Sequence, residues 1–438
     1  DPRCFCGNLF ASRPHTQRGR WAQRACAGGE QEENETVELQ EVVLVSACRT
    51  AIGTLWGSLK KVQARQLALA AGEEAIKRSG VPAAEMDEIC MGQILTALQG
   101  SLPARQVGIR LGLPARSSAV SVNQNCASGM RALEIAAHNI MLQKTDIALV
   151  VAVESMTNAP YLMPKIKGKK EIDQDALKDH LFYDALIDEL IPGHMGVSAE
   201  NIGVRYGITR EECDRLALLS HARAAAAVDE GHFKKEIVPL TLEGKRGPVI
   251  FDTDEHIDRT LTMESLAELP TPFKEDGVVT VANASGICDA AAAAVLMSRK
   301  KAAELGIKPL MKLINVCTEG MPADLMGLGP AVSIPKCLRQ AGMAYGDVEY
   351  WEVNEAFAVQ FLGVQRVLKE EQGIELDLDN VNLNGSGISL GHPVGCTGLR
   401  LVVSLYHEME RLGVTTGGAS LCVGGGPSMA SLWTRDVG

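Results

Sequence analysis

Val120-Ser-Val-Asn-Gln-Asn-Cys-Ala-Ser-Gly129 is the stretch on which the reading of the fold turns. Its β-branched start gives way to polar residues, and from Ser128 to Gln143 apolar side chains recur at helical spacing. Ile147–Val153 then reads Ile-Ala-Leu-Val-Val-Ala-Val, an unbroken apolar run suited to a buried strand. Strand, amphipathic helix and strand in succession are the unit of an α/β layer.

The same alternation extends outward. Val42–Ala47, Val348–Val353 and Ala419–Val423 read as strands, and Ala64–Ser79 and Ala356–Glu371 as helices. Between about Thr157 and Ile287 it lapses into charged, helix-rich sequence, with helices expected at Ser198–Tyr206 and Arg210–Glu230. That region reads as an inserted lobe, and its Lys165–Lys170 run reads as a solvated loop in preference to a binding patch. Val120–Gly129 and Ala419–Gly426 share a design of apolar run, cysteine and small residues, which hints at a duplicated half.

A chain of 438 residues exceeds one ordinary core, so two or three lobes are expected. A net charge of −11, with no basic stripe, excludes a general nucleic-acid surface. The longest apolar runs, Ile147–Val153 and Ala290–Met297, are too short to span a membrane as a helix. Twelve cysteines without regular spacing do not form the framework of a small disulfide-rich domain and fit a reducing compartment. Cys4 and Cys6 lack a second pair at zinc-ligand spacing, so no metal site is expected. Residues 1–29 carry Arg3, Arg13, Arg18, Arg20 and Arg24 against one acid, Asp1. That is the composition of an organellar leader, here taken as mitochondrial and extended over 1–37, with a disordered tail as the competing reading and a peroxisome-like organelle or the cytoplasm as the alternative locations.

Three segments carry chemistry. Cys126 lies between a strand and the start of the Ser128–Gln143 helix, where free N–H groups and the helix dipole favour thiolate. Taken alone, the segment also fits a small buried core cysteine. His392 sits in Asn384-Gly-Ser-Gly-Ile-Ser-Leu-Gly-His-Pro-Val-Gly-Cys-Thr-Gly398, a loop whose glycines let backbone approach a ligand. An imidazole there suits a base for the thiol. Leu421-Cys-Val-Gly-Gly-Gly426 ends a strand on a second thiol, Cys422, followed by a turn with exposed N–H groups.

The order and wording of these pieces resemble the thiolase family from about Glu38 onward. The matching motifs are N-C-A-S-G at Asn125–Gly129, N-E-A-F at Asn354–Phe357, G-H-P-x-G-C-T-G at Gly391–Gly398 and C-x-G-G-G at Cys422–Gly426. Glu154-Ser-Met156, His194-Met-Gly196 and Asn283-Ala-Ser-Gly-Ile-Cys-Asp289 add to the resemblance, although the family commonly has Asn at the position of Cys288. The resemblance implies a five-layer α/β/α/β/α sandwich of two duplicated halves with an inserted loop domain. Residues 38–156 with 288–310 would form the first half, 311–438 the second, and 157–287 the loop domain covering coenzyme A.

It further implies an acyltransferase that makes or breaks 3-ketoacyl-CoA, with Cys126 acylated, His392 its base and Cys422 moving the α-proton. Asn354 would hold a water that forms one oxyanion hole with His392, and the N–H groups of Cys126 and Gly424 would form another. Ser285, Ala356 and Phe357 correspond to pantetheine contacts, while His194 and Met195 point to a short-chain substrate such as acetoacetyl-CoA. The G-H-P-x-G-C-T-G wording is closer to the broader-chain degradative group. CoA and acetyl-CoA enter as substrates, no permanently bound cofactor is implied, and a homodimer or homotetramer is. Ketoacyl synthases share the fold but lack the second cysteine, papain-like proteases leave Cys422 unexplained, and a non-catalytic CoA-binding homologue would not need all these side chains.

Overall fold

The computed structural model describes residues 38–164, 176–191 and 193–438. The Arg-rich start, with Cys4 and Cys6, and the Lys165–Lys170 run lie outside the described residues.

The first half comprises strand β1 (Val42–Thr50), helix α1 (Ala64–Ser79), β2 (Glu88–Gly92), β3 (Ser118–Val122), α2 (Ser128–Met141) and β4 (Ile147–Ser155). After the insert, which contains α3 (Met195–Tyr206) and α4 (Arg210–Glu230), β5 (Cys288–Ser298) returns to the same sheet. The second half runs β6 (Met311–Gly320), α5 (Gly329–Ala341), β7 (Tyr350–Val353), α6 (Ala358–Gln372), α7 (Val394–Leu412), β8 (Thr416–Cys422) and β9 (Pro427–Thr434).

Local chemistry sets several boundaries. Gly80 adopts φ 69° and ends α1, its N–H donating to the Lys77 carbonyl. The Thr209 hydroxyl and the Glu212 carboxylate each accept the other's backbone N–H and start α4. Strand β5 goes against its propensity, because Ala290–Ala294 are all alanine, the strongest helix former. They are strand because β1 and β4 hydrogen-bond to both edges and α1, α2 and α7 pack on the sheet. Small side chains fit that close packing.

The halves repeat one topology. In the first sheet the order is β3-β2-β4-β5-β1, parallel at β3-β2-β4 and antiparallel from β4 to β1. In the second, β7-β8-β9-β6 has the same sense at every step, and the missing edge is a single parallel bridge between Trp351 and Val381. Even the irregularities match: the register slips between Leu44 and Ser46 in one sheet and between Leu313 and Asn315 in the other. A short pairing of Val43 and Leu44 with Lys312 and Met311 joins the two sheets.

This topology corrects the repeat suggested by wording. The loop bearing Cys126, between β3 and α2, corresponds to the loop bearing His392, between Val381 and α7, while β8 corresponds to β4. Val120–Gly129 and Ala419–Gly426 look alike because each is a strand followed by a turn of small residues, a pattern that carries no information about strand order.

Helix α7 packs on β4 and β5 of one sheet and on β7 and β8 of the other, with α2 against it. These helices form the central of five layers, with α1 and α5 outermost. Two glycines permit the approach. A Cβ on Gly129 would lie 2.8 Å from the Leu399 nitrogen, and one on Gly398 would lie 2.7 Å from the Met130 nitrogen. The reciprocity is that of a local two-fold axis. The insert is tied to β1 by buried Arg49, whose guanidinium donates to both Asp254 oxygens at 2.7 and 2.8 Å and to Glu236 at 2.7 Å.

Candidate active site

Three motif segments are stitched together by backbone. The Ser285 N–H donates to the Ala356 carbonyl at 2.9 Å, the Ala358 N–H to Asn283 at 2.8 Å and the His392 N–H to Gly286 at 3.0 Å. Beside them opens a cleft of about 390 Å³ lined by Cys126, His392, Cys422, Ser285, Ala356 and Phe357. His194 and Met195 of the insert complete the same wall. Asn354 and Gly424 are not lining residues. Asn354 is fully buried and neither atom of its amide has a protein partner; a Cβ on Gly424 would overlap Met195.

Cys126 sits on a sharp turn between β3 and α2. Asn125 before it has φ 45°, a left-handed conformation that asparagine tolerates better than most residues. The Ser128 hydroxyl braces the turn, accepting from the Gln124 N–H at 2.9 Å and donating to the Asn125 carbonyl at 2.7 Å. Burial pushes the Cys126 thiol up to about 11, against hydrogen bonds from the backbone of Gly424 and of Cys126 itself that pull it down. The expectation of a thiolate favoured by the helix start is thereby corrected: desolvation outweighs those donors and favours the protonated thiol.

His392 lines the same cleft. Its Nδ1 lies 2.6 Å from Thr397 Oγ1, and the Thr397 hydroxyl donates to the Pro393 carbonyl at 3.1 Å. With that proton committed, Thr397 accepts from Nδ1–H, which leaves Nε2 as the lone-pair nitrogen. Nε2 is buried without a protein partner. Burial, then the Arg400 charge, lowers the imidazole to about 3, so it rests neutral.

Cys422 ends β8 and is buried, and burial followed by the neighbouring Cys126 raises its thiol well above the ordinary range. The turn after it needs glycine: Gly426 has φ 102°, and a Cβ there would overlap the Met321 carbonyl. Glu154 braces the site from β4, accepting N–H groups from Ile94 at 3.0 Å, Leu95 at 3.1 Å and, at the start of α7, Gly395 at 3.0 Å. Burial nevertheless holds this carboxyl up to about 7.

The cleft contains residues that the motifs did not announce. Phe273 stacks on His194 with ring centroids 4.6 Å apart, and Met326 and His256 complete the lining. Phe273 carried one usable signal, a lone aromatic beside Pro272 in a chain with few aromatics. Thr397 stood inside a quoted motif without a role. Among the described residues no group of three or more His, Cys, Asp or Glu is arranged to hold a metal.

Residues 42–300 match the family described as thiolase, N-terminal domain, and residues 307–435 the thiolase, C-terminal domain. The acetyl-CoA acetyltransferase of Syntrophomonas wolfei is 43% identical over 395 residues, covering 90% of this chain and 98% of that protein. A solved acetyl-CoA acetyltransferase from Syntrophomonas wolfei superposes with a TM-score of 0.89 at 58% identity, over 91% of this chain and 100% of that one. Human mitochondrial 3-ketoacyl-CoA thiolase superposes with a TM-score of 0.86 at 34% identity, over 91% and 99%. With both domains matched in order on a duplicated α/β sandwich, the chain belongs to the thiolase family.

Proposed function

We propose that this thiolase-type acyltransferase cleaves a short-chain 3-ketoacyl-CoA with CoA, and in reverse condenses two acetyl-CoA molecules into acetoacetyl-CoA. The observation that carries the reading is two thiols, Cys126 and Cys422, lining one cleft with an imidazole, His392. In thiolysis the Cys126 sulfur attacks the keto carbon while its proton passes to Nε2 of His392. The N–H groups of Cys126 and Gly424 hold the resulting oxyanion. Cleavage of the carbon–carbon bond leaves its electron pair on the acetyl-CoA fragment as an enolate. His392, now protonated at Nε2, and a water on the unpartnered Asn354 amide hold the enolate oxygen, and Cys422 delivers the proton to carbon. Incoming CoA then gives its thiol proton to the Cys422 thiolate and attacks the acyl carbon, and Cys126, leaving as thiolate, takes back the proton from Nε2 of His392, which restores all three groups. Ser285, Ala356 and Phe357 serve the pantetheine arm, and His194 and Met195 close on the acyl group. Residues 157–287 act as the domain covering CoA.

The names of the bacterial relatives favour the short-chain substrate; the human relative names the wider class. Steady-state thiolysis of acetoacetyl-CoA and of a long-chain 3-ketoacyl-CoA decides between them. We expect kcat/KM at least about 10-fold higher for acetoacetyl-CoA, a difference of about 1.4 kcal/mol. An equal or higher value for the long chain would transfer the assignment to the degradative group.

A second copy of this chain is the partner we propose. Strand β3 ends the sheet with its outer edge unpaired among the described residues, and Leu98 and Leu102 are 88% and 43% exposed. A free strand edge is a template for pairing. Sedimentation equilibrium should give at least a dimer, weakened by Leu98→Asp with Leu102→Asp; a monomeric wild-type chain would refute this arrangement.

A further inference from the structure

The Gly424 N–H, which the proposed mechanism aims at the acyl oxygen on Cys126, belongs to the peptide from Val423, whose carbonyl accepts from the Gly426 N–H at 3.1 Å and closes a turn; the peptide joining Gly424 to Gly425 is the middle of that turn. Glycines on a turn have no side chains of their own to fix them, and Gly425 and Gly426 adopt φ 88° and 102°. Yet the peptide joining Gly424 to Gly425 is held at both ends. Its carbonyl accepts from Asn125 Nδ2 at 2.9 Å, and its N–H donates to Asp188 Oδ2 at 2.8 Å. Neither holder is loose. The Asn125 N–H donates to Asn123 Oδ1 at 3.0 Å, while Asp188 is 7% exposed and accepts the Leu190 N–H on its other oxygen at 2.9 Å.

We infer that Asn125 and Asp188 are positioning residues that clamp the Gly424–Gly425 peptide, the middle of the Val423–Gly426 turn, from opposite ends and thereby hold the turn, and with it the Gly424 N–H of the preceding peptide, in place against Cys126. The inference rests on the reading of Gly424 as an oxyanion donor. The clamp joins three separate parts of the chain: the nucleophile turn, the glycine turn after β8 and the insert, where Asp188 pairs with Gly193 one step before His194. A carboxylate accepting a backbone N–H makes a charge-assisted bond, stronger than the neutral one from Asn125. Both side chains act on one peptide. Losing either unties the turn from one of its two anchors and lets it shift away from Cys126, and losing the second removes little that was still in place.

The test uses the whole chain with Asn125→Gly, which keeps the left-handed φ accessible, with Asp188→Ala, and with the two combined. Rapid-quench measurement of acetyl transfer from acetyl-CoA to Cys126 is the primary readout, with KM and thermal midpoint recorded beside it. Losing an oxyanion donor costs about 10²–10³-fold in rate, and a misaimed one less, so each single variant should be about 10–100-fold slower. KM should stay within about 2-fold, and the double variant within about 3-fold of the slower single, because effects on one shared peptide do not multiply. Asp188→Asn, which keeps the shape and an acceptor oxygen, should recover most of the rate and serves if Asp188→Ala fails to fold. Wild-type acetylation rates in either single variant, losses that multiply in the double, or a rise confined to KM would each overturn the clamp while leaving Cys126 chemistry intact. Acetylation of the wild-type chain on another cysteine would remove the underlying reading and the clamp with it.

Discussion

Cys126→Ala is expected to abolish both thiolysis and condensation and to leave no cysteine acetylated after brief exposure to acetyl-CoA. Where a nucleophile works as a unit with its base, removing it costs on the order of 10⁶-fold in turnover. Among the described residues no other thiol stands at the start of α2. The described cysteines are all buried, and apart from Cys126 only Cys422 lines the cleft. The backbone N–H groups of Gly424 and Cys126 lower the Cys126 thiol against its burial, and neither acts so on Cys422, the other thiol of the cleft. The variant should fold, since alanine at a small buried site costs about 1 kcal/mol. Peptide mass spectrometry of the wild type should find the acetyl group on Cys126, and activity surviving Cys126→Ala would overturn the assignment. A pH profile adds a second check. With the thiol at about 11 and the imidazole at about 3, both groups are neutral between those limits. Acyl-enzyme formation should therefore show no inflection near the ordinary thiol value of about 8.5. A rise through that pH would mean that Cys126 ionises on its own.

Cys422→Ala should separate carbon-acid chemistry from acyl transfer. Cleavage of a 3-ketoacyl-CoA leaves an enolate that must be protonated, and condensation must remove the same weakly acidic proton. A positioned acid or base contributes about 10²–10⁴-fold to such a step. Cys422 suits it: the thiol is buried beside Cys126 with its pKa raised, so that its thiolate, once formed, is a strong base. Transfer of acetyl from acetyl-CoA to Cys126 breaks no C–H bond. The variant should therefore still form acetyl-enzyme in a rapid-quench experiment while losing about 10²–10⁴-fold in steady-state thiolysis and in deuterium exchange at the acetyl-CoA methyl. Exchange at the wild-type rate would reduce Cys422 to a packing residue and end the two-cysteine mechanism.

What could be read from sequence is what neighbouring residues decide among themselves. Helices at Ala64–Ser79 and Arg210–Glu230 occur with those limits because their stop and start lie in adjacent residues, Gly80 in one case and Thr209 with Glu212 in the other. The chemistry-bearing loops were legible for the same reason: a cysteine before a helix, a histidine among glycines and a cysteine before three glycines are local patterns. Tertiary structure decided the rest. Ala290–Ala294 form a strand against their propensity because sheet partners from distant segments claim both edges. The protonation state of Cys126 followed from burial, which a helix-start argument does not contain. The true repeat, setting Cys126 opposite His392, follows from strand order and not from wording. The contact between Asn125 and Gly424 spans 299 residues and that between Asp188 and Gly425 spans 237. Hydrogen bonds of that reach leave no periodicity or spacing in the chain, because they arise only when the sheets and the insert have brought their ends together.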